Sequence, residues 1–142
     1  MDIRQITPRY FVAPQIDATD MTALAEAGFT TVIDNRPDAE IDVDQQADVM
    51  AQAADAAGLK FVLNELTMNT MTPERQAVQR DTLEQSDGKV LAYCRSGTRS
   101  TICWALAHAQ TTPVDDLLSA AADGGYDLSG LAPSLHAIAK GS

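Results

Sequence analysis

The sequence is short of positive charge. Its 142 residues carry 10 lysines and arginines against 20 aspartates and glutamates, a formal net charge of -10. A surface of that sign repels polyphosphate backbones and anionic membranes, so generic nucleic-acid binding is excluded and no membrane partner is expected. Cysteine is scarce as well. Two cysteines cannot build the dense disulfide framework of a small secreted domain. Cys94 and Cys103 read as free thiols, because a helix between them would hold their Cα atoms beyond the roughly 7 Å limit for a bridge. His108 and His136 each stand alone, without a closely spaced second ligand, so neither a metal nor an organic cofactor is expected. Long apolar runs are missing: none approaches the roughly 18–20 residues of a spanning helix. The start, Met1-Asp2-Ile3-Arg4-Gln5, lacks the basic and then apolar regions of a signal peptide, and a cytoplasmic location is expected.

What is present is an alternation of strand and helix signals within one domain, residues 1–142, of ordinary hydrophobic content. Arg9 to Ala13 reads as a short strand stopped by Pro14, and Asp17 or Thr19 caps a helix through Ala27, which Gly28 closes. Phe29 to Asp34 is a β-branched run that breaks at Asn35-Arg36-Pro37-Asp38. An acidic stretch then leads into an alanine-rich helix, about Gln45 to Ala57, and Lys60 to Leu63 forms a third strand. Thr72-Pro73-Glu74 supplies a cap, a proline at the first helical position and a favourable acid for a helix to about Gln85. Val90 to Tyr93 is an uncharged fourth strand. Ser100 to His108, a segment opened by Thr112-Pro113, and about Pro133 to Ala139 read as three further helices. This order predicts an α/β fold with a central, mostly parallel sheet of four to five strands and helices on both faces.

In open α/β sheets the binding crevice lies beyond the carboxyl ends of the strands, where the fourth strand delivers Cys94. Cys94-Arg95-Ser96-Gly97-Thr98-Arg99-Ser100 follows, and then a helix. Strand, short glycine-containing loop and helix N-terminus make an anion cradle: loop N–H groups point inward, the helix dipole adds positive potential, and guanidinium groups close the site. Such surroundings favour thiolate over thiol, and a thiolate there is a nucleophile aimed at an anionic substrate. Cys94 is thus the expected nucleophile and Arg99 the expected anion ligand. Ser96, Gly97 and Thr98 offer backbone donors, with Gly97 permitting a positive φ. Arg95 either meets the anion or faces solvent. Ser100 either donates its hydroxyl to the sulfur or acts in the first helical turn. Arg36 either reaches the pocket rim or pairs with Asp38 or Glu40. Cys103 and Trp104 are expected in the core. From Gly88 to Val114 the chain holds Lys89, Arg95 and Arg99 and no acid, a local excess suited to a small anion.

The loop resembles the active-site loops of cysteine-dependent phosphatases and rhodaneses. More widely the chain resembles the phosphatase-like domain family of β-lactamase-hydrolase-like proteins and sulfide-oxidation enzymes. The resemblance rests on Phe11-Val12-Ala13-Pro14-Gln15, Gly28-Phe29 through Asp34-Asn35-Arg36-Pro37-Asp38-Ala39-Glu40, Tyr93 to Ser100 with Trp104-Ala105-Leu106, and Gly125-Tyr126-Asp127-Leu128. It implies a tyrosine-phosphatase-like three-layer fold, and either phosphatase or sulfurtransferase activity. Arg95, Ser96, Gly97 and Thr98 make four residues between nucleophile and arginine, one fewer than phosphatases keep, and Tyr93 stands where phosphatases usually place histidine. Ester cleavage benefits from an acid that protonates the leaving oxygen. The loop after the third strand offers only Glu65, expected too close to the strand end, with Asp38 as a substitute. Sulfur transfer needs no such acid, because sulfite and thiolates leave readily. The expected activity is therefore sulfurtransfer: Cys94 takes sulfane sulfur from thiosulfate or glutathione persulfide and passes it to a small thiol or cyanide. The alternatives are a tyrosine or dual-specificity phosphatase working through a phosphocysteine, and a non-catalytic anion-sensing or docking module. Sulfide-oxidation enzymes are the partners this implies.

Overall fold

The computed structural model describes residues 1–141. Strands β1 (Arg4–Gln5), β2 (Tyr10–Ala13), β3 (Phe29–Asp34), β4 (Lys60–Leu63) and β5 (Lys89–Tyr93) form one sheet in the order β1-β2-β5-β3-β4. All neighbours are parallel except β1, which runs antiparallel to β2. Parallel neighbours need helical crossovers, and α1 (Met21–Glu26), α2 (Ala47–Ala56) and α3 (Pro73–Gln85) supply them. Helices α4 (Thr98–His108), α5 (Val114–Asp123) and α6 (Ala132–Ala139) follow the last strand. The expected α/β architecture, a central and mostly parallel sheet within the four to five strands foreseen, is the one observed.

β5 explains why the layers close. Its residues point alternately to opposite faces, and both faces are covered, so beyond Lys89 at its start the strand is apolar. Val90 and Ala92 join Tyr10, Val12 and Ile33 in a core with Trp104 of α4, Leu117 of α5 and Leu135 of α6. Leu91 and Tyr93 join Val32 in a second core with Met21 and Leu24 of α1 and Met50 and Ala54 of α2. β5 therefore ends, rigidly held, at the centre of the carboxyl edge of the sheet.

Three details differ from the sequence reading. β1 is exposed and two residues long, held by backbone pairing to β2, and carries no apolar alternation that would announce it. Short 3-10 turns at Ala18–Asp20 and Val43–Gln45 occupy the expected starts of α1 and α2. α4 begins at Thr98, two residues before Ser100, because Gly97 takes the left-handed conformation at its N-cap. The start of α3 is as expected, with the Thr72 hydroxyl accepting the Arg75 N–H at 3.3 Å and Pro73 in the first turn. Among the described residues no helix is long and apolar enough to cross a membrane.

Candidate active site

The strand ladder extends to the thiol itself. The Cys94 N–H donates to the Ala13 carbonyl at the end of β2 (3.3 Å), and the Asn35 N–H beyond β3 donates to the Tyr93 carbonyl (2.9 Å). One residue later the Gln15 N–H donates to the Arg95 carbonyl (3.4 Å). Cys94 is fully buried in the free protein. The chain then curls so that the Gly97 N–H, at φ 92°, donates to the Cys94 sulfur at 3.1 Å. That bond and the N-terminus of α4 behind it set positive potential on the sulfur. Ser96 and Thr98 are exposed on the loop, their hydroxyls 3.0 Å apart.

Arg99 reaches the same place and is itself gripped. Its Nη1 donates to Glu40 Oε2 and to the Leu66 carbonyl, and its Nη2 to Glu40 Oε1, each at 2.8 Å. The Glu40 carboxylate, followed by the proximity of Cys94, keeps the guanidinium firmly charged. Glu40 in turn is held below the usual carboxylate range, first by its bonds from Arg99 and further by Arg36. Arg36 meets Glu40 Oε1 at 3.4 Å and donates to Gln15 Oε1 at 3.2 Å. Both expectations for Arg36 thus merge: it pairs with Glu40, and through Glu40 it joins the rim. Arg95 is exposed and makes no ion pair among the described residues. The expected local excess of three cations is smaller in space than in sequence. Lys89 lies at the opposite end of β5, over the rings of Phe11 and Phe29 at 5.4 and 4.8 Å.

Ser100 is buried behind the loop, and its Oγ is bonded by Asn35 Nδ2 at 2.9 Å rather than to the Cys94 sulfur. Its carbonyl accepts the Tyr10 hydroxyl at 2.8 Å, and Gln79 of α3 bonds both Tyr10 and Asn35. This places Ser100 in the first turn of α4, the second of its two expected roles. Asp34, at the end of β3, is also buried, and burial pushes its carboxyl up to about 6. Its Oδ1 accepts the Arg36 N–H at 2.9 Å. Its Oδ2 and the Tyr93 hydroxyl form no hydrogen bond of good geometry. Burial, followed by the Asp34 charge, pushes Tyr93 ionisation up, whereas the Tyr93 hydroxyl acts on Asp34 in the opposite sense and favours the carboxylate. Cys103 is buried, its thiol pushed up to about 12 by desolvation, and packs as expected beside Trp104.

The Leu66 carbonyl binds Arg99 and so tethers the loop after β4 to the cradle, and Glu65 precedes the tether by one residue, two positions beyond the end of β4. Glu65 Oε2 accepts the Asp38 N–H at 2.9 Å, and Asp38 Oδ1 accepts the Ala47 N–H at 2.8 Å at the start of α2. Sequence reasoning missed Glu40 as the partner of Arg99, Asn35 as the partner of Ser100, and Tyr126 as a bond to the loop from outside. All three lie in segments that carry the family resemblance, which signalled them without showing what each one touches.

A buried thiol that closes a parallel β-strand, receives a loop N–H and faces a helix-borne arginine is the cradle expected of the phosphatase-like class of α/β domains. Residues 2–111 match the family model of the phosphatase-like domain of β-lactamase hydrolase-like proteins, and the chain belongs to that family. The β-lactamase hydrolase-like protein of Xylella fastidiosa is 31% identical over 108 residues, covering 75% of this chain and 25% of the relative. That of Agrobacterium fabrum is 28% identical over 105 residues, 74% and 24% of the two chains. The chain therefore spans about a quarter of the length of these curated relatives. A candidate phosphatase from Neisseria meningitidis superposes with a TM-score of 0.82 at 28% identity, covering 95% of this chain and 96% of the other. The active form of a protein designated Tk-PTP shares the fold at a TM-score of 0.72 and 14% identity, over 98% and 96% of the chains.

Proposed function

We propose that the chain is a cysteine-dependent phosphatase-like enzyme that hydrolyses a small phosphate monoester through a Cys94 phosphocysteine. The observation that carries the reading is the Gly97 N–H directed at the Cys94 sulfur at 3.1 Å with Arg99 beside it. The family and the phosphatase descriptions of its structural neighbours favour this over the expected sulfurtransfer. The Cys94 thiolate attacks phosphorus, the P–O ester bond breaks, and the leaving oxygen takes a proton from Glu65. Glu65 then removes a proton from water, which attacks phosphorus; the P–S bond breaks and inorganic phosphate leaves with the thiolate restored. Loop N–H groups and Arg99 hold the equatorial oxygens, while Glu40 keeps Arg99 aimed. Arg95, exposed at the mouth, attracts the anion.

Sulfurtransfer remains as a second reading on one specific observation, the four-residue spacing from Cys94 to Arg99, which makes a smaller ring of donors. In it the Cys94 thiolate attacks the outer sulfur of thiosulfate or glutathione persulfide, the S–S bond breaks, and sulfite or glutathione leaves. A thiol acceptor then takes the outer sulfur from the Cys94 persulfide. Glu65→Gln separates the readings. Aryl phosphate turnover falls by roughly 10²–10⁴-fold, most for poor leaving groups, if Glu65 is the acid. Thiosulfate turnover that exceeds aryl phosphate turnover and survives Glu65→Gln overturns the phosphatase reading in favour of the second. Silence toward both substrates in the parent leaves an anion-docking module.

A further inference from the structure

We propose that Tyr126 is a positioning residue for the nucleophile: its hydroxyl holds the Ser96–Gly97 peptide so that the Gly97 N–H points at the Cys94 sulfur. The inference rests on Cys94 as the nucleophile and holds for either transferred group. The Tyr126 hydroxyl donates to the Ser96 carbonyl at 3.0 Å, and the Gly97 N–H donates to Cys94 Sγ at 3.1 Å. Ser96 C=O and Gly97 N–H belong to one peptide unit, and in a trans peptide they point in opposite directions. The same rigid plane is thus pinned at both ends, by a phenol outside the cradle and by sulfur inside it.

The pin has work to do because the loop alone is poorly restrained. Glycine tolerates either sign of φ, so the peptide that precedes Gly97 is free to rotate. Rotation would turn the Ser96 carbonyl oxygen toward the sulfur and replace a donor by an acceptor where an anion must sit. Tyr126 blocks this in two ways. Its hydroxyl holds the carbonyl outward, and its ring fills the space where a side chain at position 97 would stand. A Cβ built on Gly97 would collide with the phenol oxygen and lie 2.9 Å from Cζ. Tyr126 is itself anchored: its N–H donates to the Ala121 carbonyl of α5 at 2.8 Å, and its ring packs on the core beneath α4 and α5. Partial burial, reinforced by the nearby Cys94, pushes phenol ionisation up, so the group stays an O–H donor at neutral pH.

Tyr126→Phe in the full chain tests this, because it deletes the hydroxyl and keeps the ring. The expected result is a melting curve close to the parent, a pH–rate profile for alkylation of Cys94 by iodoacetamide displaced to higher pH, and kcat lowered roughly three- to tenfold. KM changes less. A parental alkylation profile and parental kcat overturn the inference. So does a loss of kcat with a parental alkylation profile and a lowered melting temperature, which would mark a packing role. Alkylation needs no substrate, so it reads the Gly97–Cys94 contact whatever reaction the site performs. Retention of turnover by Cys94→Ser would instead remove the nucleophile reading itself.

Discussion

Asp34 shows how a single side chain near the site costs stability. The unfolded chain ionises Asp34 near the ordinary 3.8 and the folded chain near 6, so between those values the folded state holds the extra proton. Stability therefore falls as pH rises through that window. The full cost, roughly 3 kcal/mol for a displacement of about two pKa units, is present above it. Asp34→Asn keeps an acceptor for the Arg36 N–H and removes the charge. Denaturant unfolding of both proteins should give curves that separate between about pH 4 and pH 6, with the variant more stable at pH 7. Equal stability at pH 7 would contradict this. Glu40 has the opposite sign: it is held low by Arg99 and Arg36, so its contribution is present above the usual carboxylate range and lost as pH falls. The comparison of variant with parent cancels that trend. In the sequence only the pairing of Glu40 with Arg36 was open to view, as one of two choices; the opposite fates of Asp34 and Glu40 depend on burial and on an arginine 59 positions away from Glu40.

At the scale of elements, the turn from β5 into α4 carries the chemistry, and Gly97 is its hinge. A non-glycine residue held at φ near +90° costs about 1–2 kcal/mol, and here the added Cβ would also displace Tyr126. Gly97→Ala should therefore fold with a lowered melting temperature and lose most turnover. Calorimetry and a steady-state assay read the two effects, and parental turnover in a folded Gly97→Ala protein would contradict the geometry. The parallel strands were legible because their apolar runs are continuous and their helices are bounded by glycine and proline. β1 was not, since two exposed residues held by backbone pairing leave no side-chain pattern. The exact start of α4 was missed for a related reason: a glycine in the left-handed region caps it without a side chain. The cradle residues were legible as one contiguous segment. Tyr126 stands in a segment that carries the resemblance, but its contact with Ser96, thirty positions away, was visible only in folded form.

The whole molecule sets an acidic surface around a small basic mouth. With Lys89 at the far end of its strand and Arg99 and Arg36 both paired to Glu40, Arg95 is left as the mouth's unpaired cation among the described residues. The net charge of -10 thus disfavours a large polyanionic partner, while the helix terminus, the loop N–H groups and Arg99 are the groups proposed to take a compact anion. The matched segment makes up 25% of the Xylella fastidiosa protein, so a segment similar to this chain also occurs within longer proteins. The chemistry proposed for this chain is covalent and lies at Cys94. The most direct measurement is intact mass and peptide mapping after acid quench of the protein with an aryl phosphate or with thiosulfate, beside Cys94→Ser. The expected result is a gain of one phosphoryl group, or of one sulfur atom under the second reading, confined to the peptide that holds Cys94, and no turnover by Cys94→Ser. Turnover that persists in Cys94→Ser would contradict it.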